Sequence, residues 1–371
     1  MRIVATGVLG QSEPGTDRAN LTFPMALRLT DGTLIATLRA GPEKDTASDR
    51  IELYRSADSG QTWIGPDTPF IAPDVDGKAG SLKICYLTEL APGRLIAAAM
   101  WIDRTTYPGQ PLFNAETEGC LPMAILVADS ADNGRSWSAW RHVPMPVEIG
   151  PPSLTSPILK LADGRLAMSI ETNKPYLDRS KWKQRAVYLF SDDDGLTWSA
   201  PLTVAEDPTG RIFNWDLRCA VAPDGRVASF AWTYDSQTSR YLDIHRRVSV
   251  DGGLSWTPPE PIGVSDQAAR PAMRPDGSVV LAWVDRFGSQ SIRARTAPAV
   301  DAPFDASSEV VIYTHGAGET ASADTGEMLS SMDLWSFGLP FAEVLPGGDV
   351  LVLYYAGTPK ALDVRWARIA V

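Results

Sequence analysis

The chain has 371 residues, 44% hydrophobic and 21% charged, the make-up of a globule with a large core and not of a disordered or fibrous chain. A net charge of −11 leaves no electrostatic footprint for nucleic acid or anionic lipid, and no apolar run reaches the ~20 residues of a membrane span. The first ten residues carry neither a basic nor a hydrophobic stretch, so a cytoplasmic location is expected, and Cys85, Cys120 and Cys219 stand far apart and read as reduced core thiols.

In chain order, residues 2–9 alternate like one strand. Six hairpin signals follow, each a hydrophobic strand, a tight turn and another strand: Asp31-Gly32, Pro92-Gly93, Asp163-Gly164, Asp224-Gly225, Asp276-Gly277 and Gly347-Gly348. After each of the first four comes a loop, a third strand such as 51–55, and the pattern S-x-D-x-G-x-[ST]-W at residues 56–63, 130–137, 191–198 and 249–256. The repeat of roughly 60 residues implies repeated supersecondary units. Within one copy, Ser and Asp can bond back to the turn amides, Gly supplies positive φ, and Trp packs on a neighbouring sheet. In units five and six the pattern is absent, and 291–296 and 362–367 read as third strands. The sixth unit then runs out of chain, and residues 2–9 have the length to supply its fourth strand. The prediction is an all-β, six-bladed β-propeller of four-stranded antiparallel blades, one domain over 1–371, the ring closed by the N-terminal strand beside 362–367.

The tight turns fall on the first-to-second and third-to-fourth connections. Long insertions at 39–50, 101–119, 171–183, 233–240 and 315–339 fall on the other two, which emerge on one face, so the site is expected at that mouth. The residues reaching it are carboxylates, arginines and aromatics, the mixture a sugar site needs: rings stack on pyranose faces, charges bind hydroxyls or a carboxylate, and paired carboxylates do acid/base or nucleophilic work. Trp101, Trp232 and Trp283 end three second strands at equivalent positions, which fits blade packing as well as stacking. His142, His245 and His315 have no metal-ligand spacing; His315 is a mouth candidate and the other two read as structural. Neither a metal nor a cofactor is expected.

The four S-x-D-x-G-x-[ST]-W copies resemble the Asp-box, or bacterial neuraminidase repeat, of the sialidase superfamily, where the motif closes an outer turn of each blade away from the active site. Further likeness to that family lies in Pro24, in Arg39 followed by Asp45 or Asp49, and in the stretch 51–63. Two family signatures are missing: Thr22-Phe23-Pro24 stands where an Arg-Ile-Pro begins the first blade, and Phe337-Gly338-Leu339 stands where a nucleophilic Tyr is expected. The resemblance implies a relative acting on a sugar other than sialic acid.

The leading expectation is therefore an exo-acting glycoside hydrolase on a terminal sugar of an oligosaccharide. Asp49 or Asp45 would be the acid/base and Glu171 or Asp216 the second carboxylate, with Arg39, Arg218 and Arg286 orienting the substrate and Trp101, Tyr234 and Trp335 stacking on it. A lyase on a uronate-containing glycan and a non-catalytic glycan-binding propeller are the alternatives. The expected partner is a glycan, with no nucleic acid and no membrane.

Overall fold

The computed structural model describes residues 1–264, 266–316 and 325–371, save the side chains of 327, 330, 331 and 333; part of the 315–339 insertion thus lies outside the described residues. The protein is all-β, with a single α-helix, Thr325–Ser331, among the described residues. No described helix is long and apolar enough to cross a membrane.

The strands fall into antiparallel units of four. Unit one comprises Asn20–Arg28, Leu34–Gly41, Arg50–Ser56 and Ile64–Asp67; unit two Gly80–Ala91, Arg94–Asp103, Met123–Ser130 and Arg141–Val143. Unit three has a first strand in two pieces, Ser153–Leu154 and Leu159–Lys160, then Leu166–Glu171, Arg185–Ser191 and Leu202–Glu206. Unit four is Ile212–Val221, Val227–Asp235, His245–Ser249 and Glu260–Pro261. Unit five again splits its first strand, into Gln267–Ala268 and Ala272–Met273, before Val279–Asp285, Ser291–Ala297 and Val310–Thr314. Unit six is Phe337–Val344, Val350–Thr358 and Ala361–Ala370, and its fourth strand is Arg2–Gly10, which pairs antiparallel with Ala361–Ala370. The sheets of units six and one join through a single parallel pair, Asn20 with Leu362.

Burial explains the composition of each strand. Second strands such as Leu34–Gly41 and Val227–Asp235 are buried along their whole length, because sheets pack on both their faces, and they read as largely apolar runs. The fourth strand of unit one, Ile64–Asp67, is exposed throughout. Arg2–Gly10 alternates between exposed and half-buried, as a strand covered on one face must. The core lies between units. Leu21, Leu34 and Leu38 of unit one meet Leu351, Leu353 and Trp366 of unit six; Leu161 and Tyr188 of unit three meet Leu217 and Val227 of unit four; Phe230 of unit four meets Leu281 and Trp283 of unit five. Cys85, Cys120 and Cys219 are free thiols buried in this core, and burial pushes all three upward in pKa.

One face is closed by repeated turns. In five hairpins the turn glycine amide donates to the carbonyl three residues back, as Gly32 does to Leu29 at 2.9 Å and Gly164 to Leu161 at 3.1 Å. The eight-residue copies are equally regular. Ser56 Oγ donates to Asp58 Oδ1 (2.8 Å) and accepts from the Gly60 amide (2.9 Å), while Asp58 accepts from the Gln61 and Thr62 amides and the Thr62 hydroxyl. The Trp63 indole N–H donates to the Gly60 carbonyl, as Trp137 does to Gly134 and Trp256 to Gly253, and the bonds to the Asp carboxylate recur at Asp132, Asp193 and Asp251. Each turn also leans on the preceding unit: Gly60 on Leu351, Gly134 on Ile35, Gly195 on Ile96 and Gly253 on Tyr188.

Candidate functional site

The opposite face carries a cleft of about 1170 Å³, counting its open mouth. Its floor follows from a recurring irregularity: in every unit the first strand breaks register against the second. Residues 23–24, 83, 216–217 and 339–340 are the extra residues in units one, two, four and six, and the two-piece strands do the same in units three and five. A bulge re-aims side chains. Phe23, Asp216 and Leu339 sit on these bulges in the left-handed region at φ 51°, 52° and 46°, and all three line the cleft, as do Lys83 and Thr155. Non-glycine residues are uncommon there, so three at one level mark a built feature. Pro24, Pro157, Pro271 and Pro340 occupy four of the interruptions, where a missing amide costs nothing.

The walls are aromatic. Trp182, Trp215, Trp232 and Trp335 line the cleft, backed by Phe213, Tyr234 and Tyr241. The roof is made by residues 111–113 of unit two and by Leu329 and Met332 of the 325–335 segment. These meet across the opening: Gly326 lies against the Ala115 carbonyl with no room for a Cβ.

Two carboxyl groups share the floor. Glu171, at the end of the second strand of unit three, is buried and accepts the Leu217 amide at 2.9 Å. Burial first, and then the neighbouring Asp216 carboxylate, push the Glu171 carboxyl up to about 8, against the pull of the Leu217 amide and the Arg218 guanidinium. Asp216 pairs with Arg218 at 2.6 Å and accepts from Gln267 Nε2 at 2.6 Å. Arg218 lies buried beneath, donating to the Tyr86 hydroxyl (2.8 Å) and the Thr155 carbonyl (2.6 Å).

Asp45 and Asp49 are placed differently. Asp49 is buried in an ion pair with Arg39 and accepts from the Thr46 hydroxyl at 2.6 Å. Asp45 pairs with Lys83 (2.8 Å) and Arg104 (2.6 Å). Burial alone would raise its carboxyl, but the Lys83 ammonium and Arg104 guanidinium hold it well below the usual range. Neither lines the cleft; Asp45 borders a separate groove with Lys44.

Of the other expected site residues, Trp335 lines the cleft. Arg286 is buried behind it, its guanidinium 4.1 Å from the Trp335 ring centroid. Tyr234 is buried behind Trp215, stacked at 5.0 Å. Arg39 belongs to the Asp49 pair, outside the cleft. Trp101 is a packing residue: its indole donates to the Pro73 carbonyl at 2.9 Å and its ring covers Gly80. Sequence reasoning missed Trp182 and Gln267 as lining residues, and passed over Asp266, a carboxyl that burial pushes up to about 7 against the nearby Arg286. Tyr355 follows the hairpin turn, the wrong place for the nucleophile of the resembled family, yet the end of a second strand is one of the positions that reach this face. Among the described residues no three His, Cys, Asp or Glu side chains gather as metal ligands would.

The sequence matches the family model described as a BNR repeat-like domain over residues 112–291. None of the curated proteins matches it by sequence. Several solved structures resemble it along its length. A Dyadobacter fermentans protein of unknown function is 22% identical, with a TM-score of 0.77 over 100% of this chain and 99% of that one. The Ruminococcus gnavus intramolecular trans-sialidase, in complex with oseltamivir carboxylate, is 14% identical, with a TM-score of 0.69 over 98% and 99%. Trypanosoma rangeli sialidase, in complex with the inhibitor DANA, is 12% identical, with a TM-score of 0.65 over 98% of this chain and 59% of that one.

Proposed function

From a chain that has the sialidase fold and carries a BNR repeat-like domain, we propose a six-bladed β-propeller that acts on a glycan at the Glu171–Asp216 cleft, as an exo-acting glycoside hydrolase on a neutral terminal sugar. The observation that carries this reading is the carboxyl pair at the floor of an aromatic cleft. Glu171, with its carboxyl raised to about 8, holds a proton at neutral pH and is suited to protonate a leaving glycosidic oxygen. Asp216, fixed by Arg218 and Gln267, is the carboxylate that assists attack at the anomeric carbon. This assignment moves the acid role from Asp45 or Asp49, which are tied up with cations, to Glu171.

Two further observations shape the substrate. The roof of residues 111–113, Leu329 and Met332 supports an exo-acting reading, in which a chain end enters and not the middle of a polymer. No arginine lines the cleft among the described residues, and its two lysines are engaged: Lys44 Nζ donates to the Met332 (2.6 Å) and Trp335 (3.0 Å) carbonyls, and Lys83 pairs with Asp45. A carboxylate is recognised best by a guanidinium fork, which this surface does not offer.

The test is a panel of neutral, uronic and α-sialosyl aryl glycosides with the wild-type protein, Glu171→Gln and Asp216→Asn. Turnover of a neutral member, lost in both variants, is expected. An unsaturated product absorbing near ~235 nm from a uronate substrate would mean a lyase. Binding without turnover would mean a lectin-like propeller, and efficient sialoside cleavage would overturn the neutral-sugar assignment.

A further inference from the structure

A further cavity lies below the cleft floor, along the stretches of the first strands between their register breaks and the turn face, and every unit contributes to it. Its lining includes Leu27 and Arg28 of unit one, Glu89 of unit two, Lys160 of unit three, Val221 of unit four, Arg270 of unit five and Phe341 of unit six. It spans about 760 Å³ with its opening, and it shares no lining residue with the cleft. Between the two, Tyr86 stacks on Phe341 at 6.2 Å and its hydroxyl accepts from Arg218.

The charges of this pit are unevenly matched. Arg270 donates from Nη1 to Glu343 at 2.9 Å, but its Nε is buried without a partner. Leaving a guanidinium donor unmet in a buried position is costly. Arg28 has no ion pair or side-chain hydrogen bond among the described residues, and Lys160 reaches only the Leu90 carbonyl, at 2.6 Å. Of the anions, Glu89 already accepts the Thr30 amide and hydroxyl, both at 2.8 Å. Glu343 is pushed upward by burial, against Arg270 and Arg28. Three cations from three units thus converge on one concave space in a protein whose net charge is −11. Apart from Thr88, whose hydroxyl donates to the Ile158 carbonyl at 2.7 Å, the remaining lining, including Met25, Leu87, Pro157, Ile158 and Phe341, is apolar.

We infer that this pit is a binding site, separate from the cleft, for a small oxyanion, a carboxylate or phosphate, carried on an apolar body. The anion meets Arg28 and Lys160 beside the Arg270 guanidinium, and the body rests on Phe341 and the aliphatic rim. Such a site does not depend on the glycosidase reading, because none of its groups belongs to the cleft.

The experiment is isothermal titration of the full-length protein at low salt with two probes, benzoate and inorganic phosphate. Expected is one saturable site for each, with benzoate the tighter, weakened by added salt. Both should lose about tenfold or more in affinity in the double variant Arg28→Ala/Lys160→Ala, whose side chains are exposed and whose loss leaves the Arg270–Glu343 pair intact. Glu171→Gln should bind both probes unchanged. Arg270→Lys, which keeps the charge near Glu343 and removes the fork, should weaken benzoate as well. Absence of saturable binding, or binding that survives in the double variant, would overturn the site. Binding lost in Glu171→Gln would place the anion in the cleft, and phosphate binding as tightly as benzoate would remove the apolar body from the proposal.

Discussion

The turn face and the cleft face are made from the two ends of the same strands, yet their determinants lie at very different distances in sequence. On the turn face, Asp58 meets every hydrogen-bond partner within four residues, and the arrangement repeats at Asp132, Asp193 and Asp251. On the cleft face, Glu171 is set by the Leu217 amide and Asp216, 46 and 45 residues away (217 − 171 and 216 − 171), and Lys44 reaches across to Trp335. Local rules specify the first face, whereas the second exists only once the units have assembled. Substitutions on the two faces should therefore fail in different ways.

The largest expected effect is on chemistry. Glu171→Gln should lower kcat on a neutral glycoside by about 10²–10⁴, the usual worth of a positioned general acid. Asp216→Asn should do likewise, with both variants still folded by circular dichroism. A loss confined to KM would mean that the carboxyls bind sugar without transferring protons.

Next in size is a pair of glycine substitutions, one on each face. Gly150 (φ 63°) lies against the Asn173 carbonyl with no room for a Cβ, close to Ser153 and Asn173 of the cleft wall. Gly164 (φ 92°) turns a hairpin with nothing within 4 Å of an added Cβ. Gly150→Ala combines backbone strain with displacement of a buried chain and should cost roughly 2–4 kcal/mol in chemical denaturation. Gly164→Ala should cost only about 1 kcal/mol of strain. Equal costs would show that the cleft wall yields more easily than its packing suggests.

Legibility in the amino-acid sequence follows the same division. The hairpins, the four motif turns and the N-terminal strand beside the last third strand are legible because each depends on local pattern: a two-residue period, a positive-φ glycine, an Asp two residues after a Ser. The elaborated face is legible from loop lengths. The cleft's membership is not. Trp101 and Trp232 end equivalent strands, but one covers Gly80 and the other faces the cleft, a difference set by neighbouring units. Asp45 looks like a catalytic carboxylate in sequence because its cationic partners Lys83 and Arg104 come from the next unit, whereas Asp49 pairs with Arg39 of its own unit and burial of that pair shows only in the fold. The bulges do leave a trace, in the prolines at 24, 157, 271 and 340 inside otherwise strand-like runs, a signal that points to Phe23, Thr155 and Leu339.

A smaller, pH-dependent effect separates the faces in solution. Glu171 has a folded pKa near 8, raised from 4.5, so the folded state holds its proton more tightly than the unfolded chain. Its contribution to stability is fully present below pH 4.5 and is lost as pH rises through about 8. Asp266, raised from 3.8 to about 7, acts in the same direction. Stability should fall between pH 4.5 and 8, and Glu171→Gln should flatten that slope in denaturant titrations. An unchanged slope would show that Glu171 titrates normally and would weaken its assignment as the acid.

The smallest effect belongs to the turn face and runs the opposite way with pH. Asp58 and Asp251 are each lowered from 3.8 to about 2, chiefly by the side-chain hydroxyls of Thr62 and Ser255, with further bonds from turn amides. A group whose folded pKa is depressed contributes stability above its unfolded pKa and loses it as pH falls through the folded value. The contribution should thus be complete above about pH 4 and fade toward pH 2. Because both carboxylates are almost fully solvated, little of this survives as net energy, and the better guide is a helix-capping oxygen that satisfies orphan amides, worth about 0.5–2 kcal/mol. Asp58→Ala and Asp251→Ala should each lose about that much at pH 7. The double variant should lose the sum, since the two turns sit in different units with no shared partner. Turnover per folded molecule should be unchanged, because nothing in either turn lines the cleft. Selective loss of turnover at normal stability would mean that the turn face positions the chemistry through the length of the strands, and the division between a locally specified face and an assembled one would have to be given up.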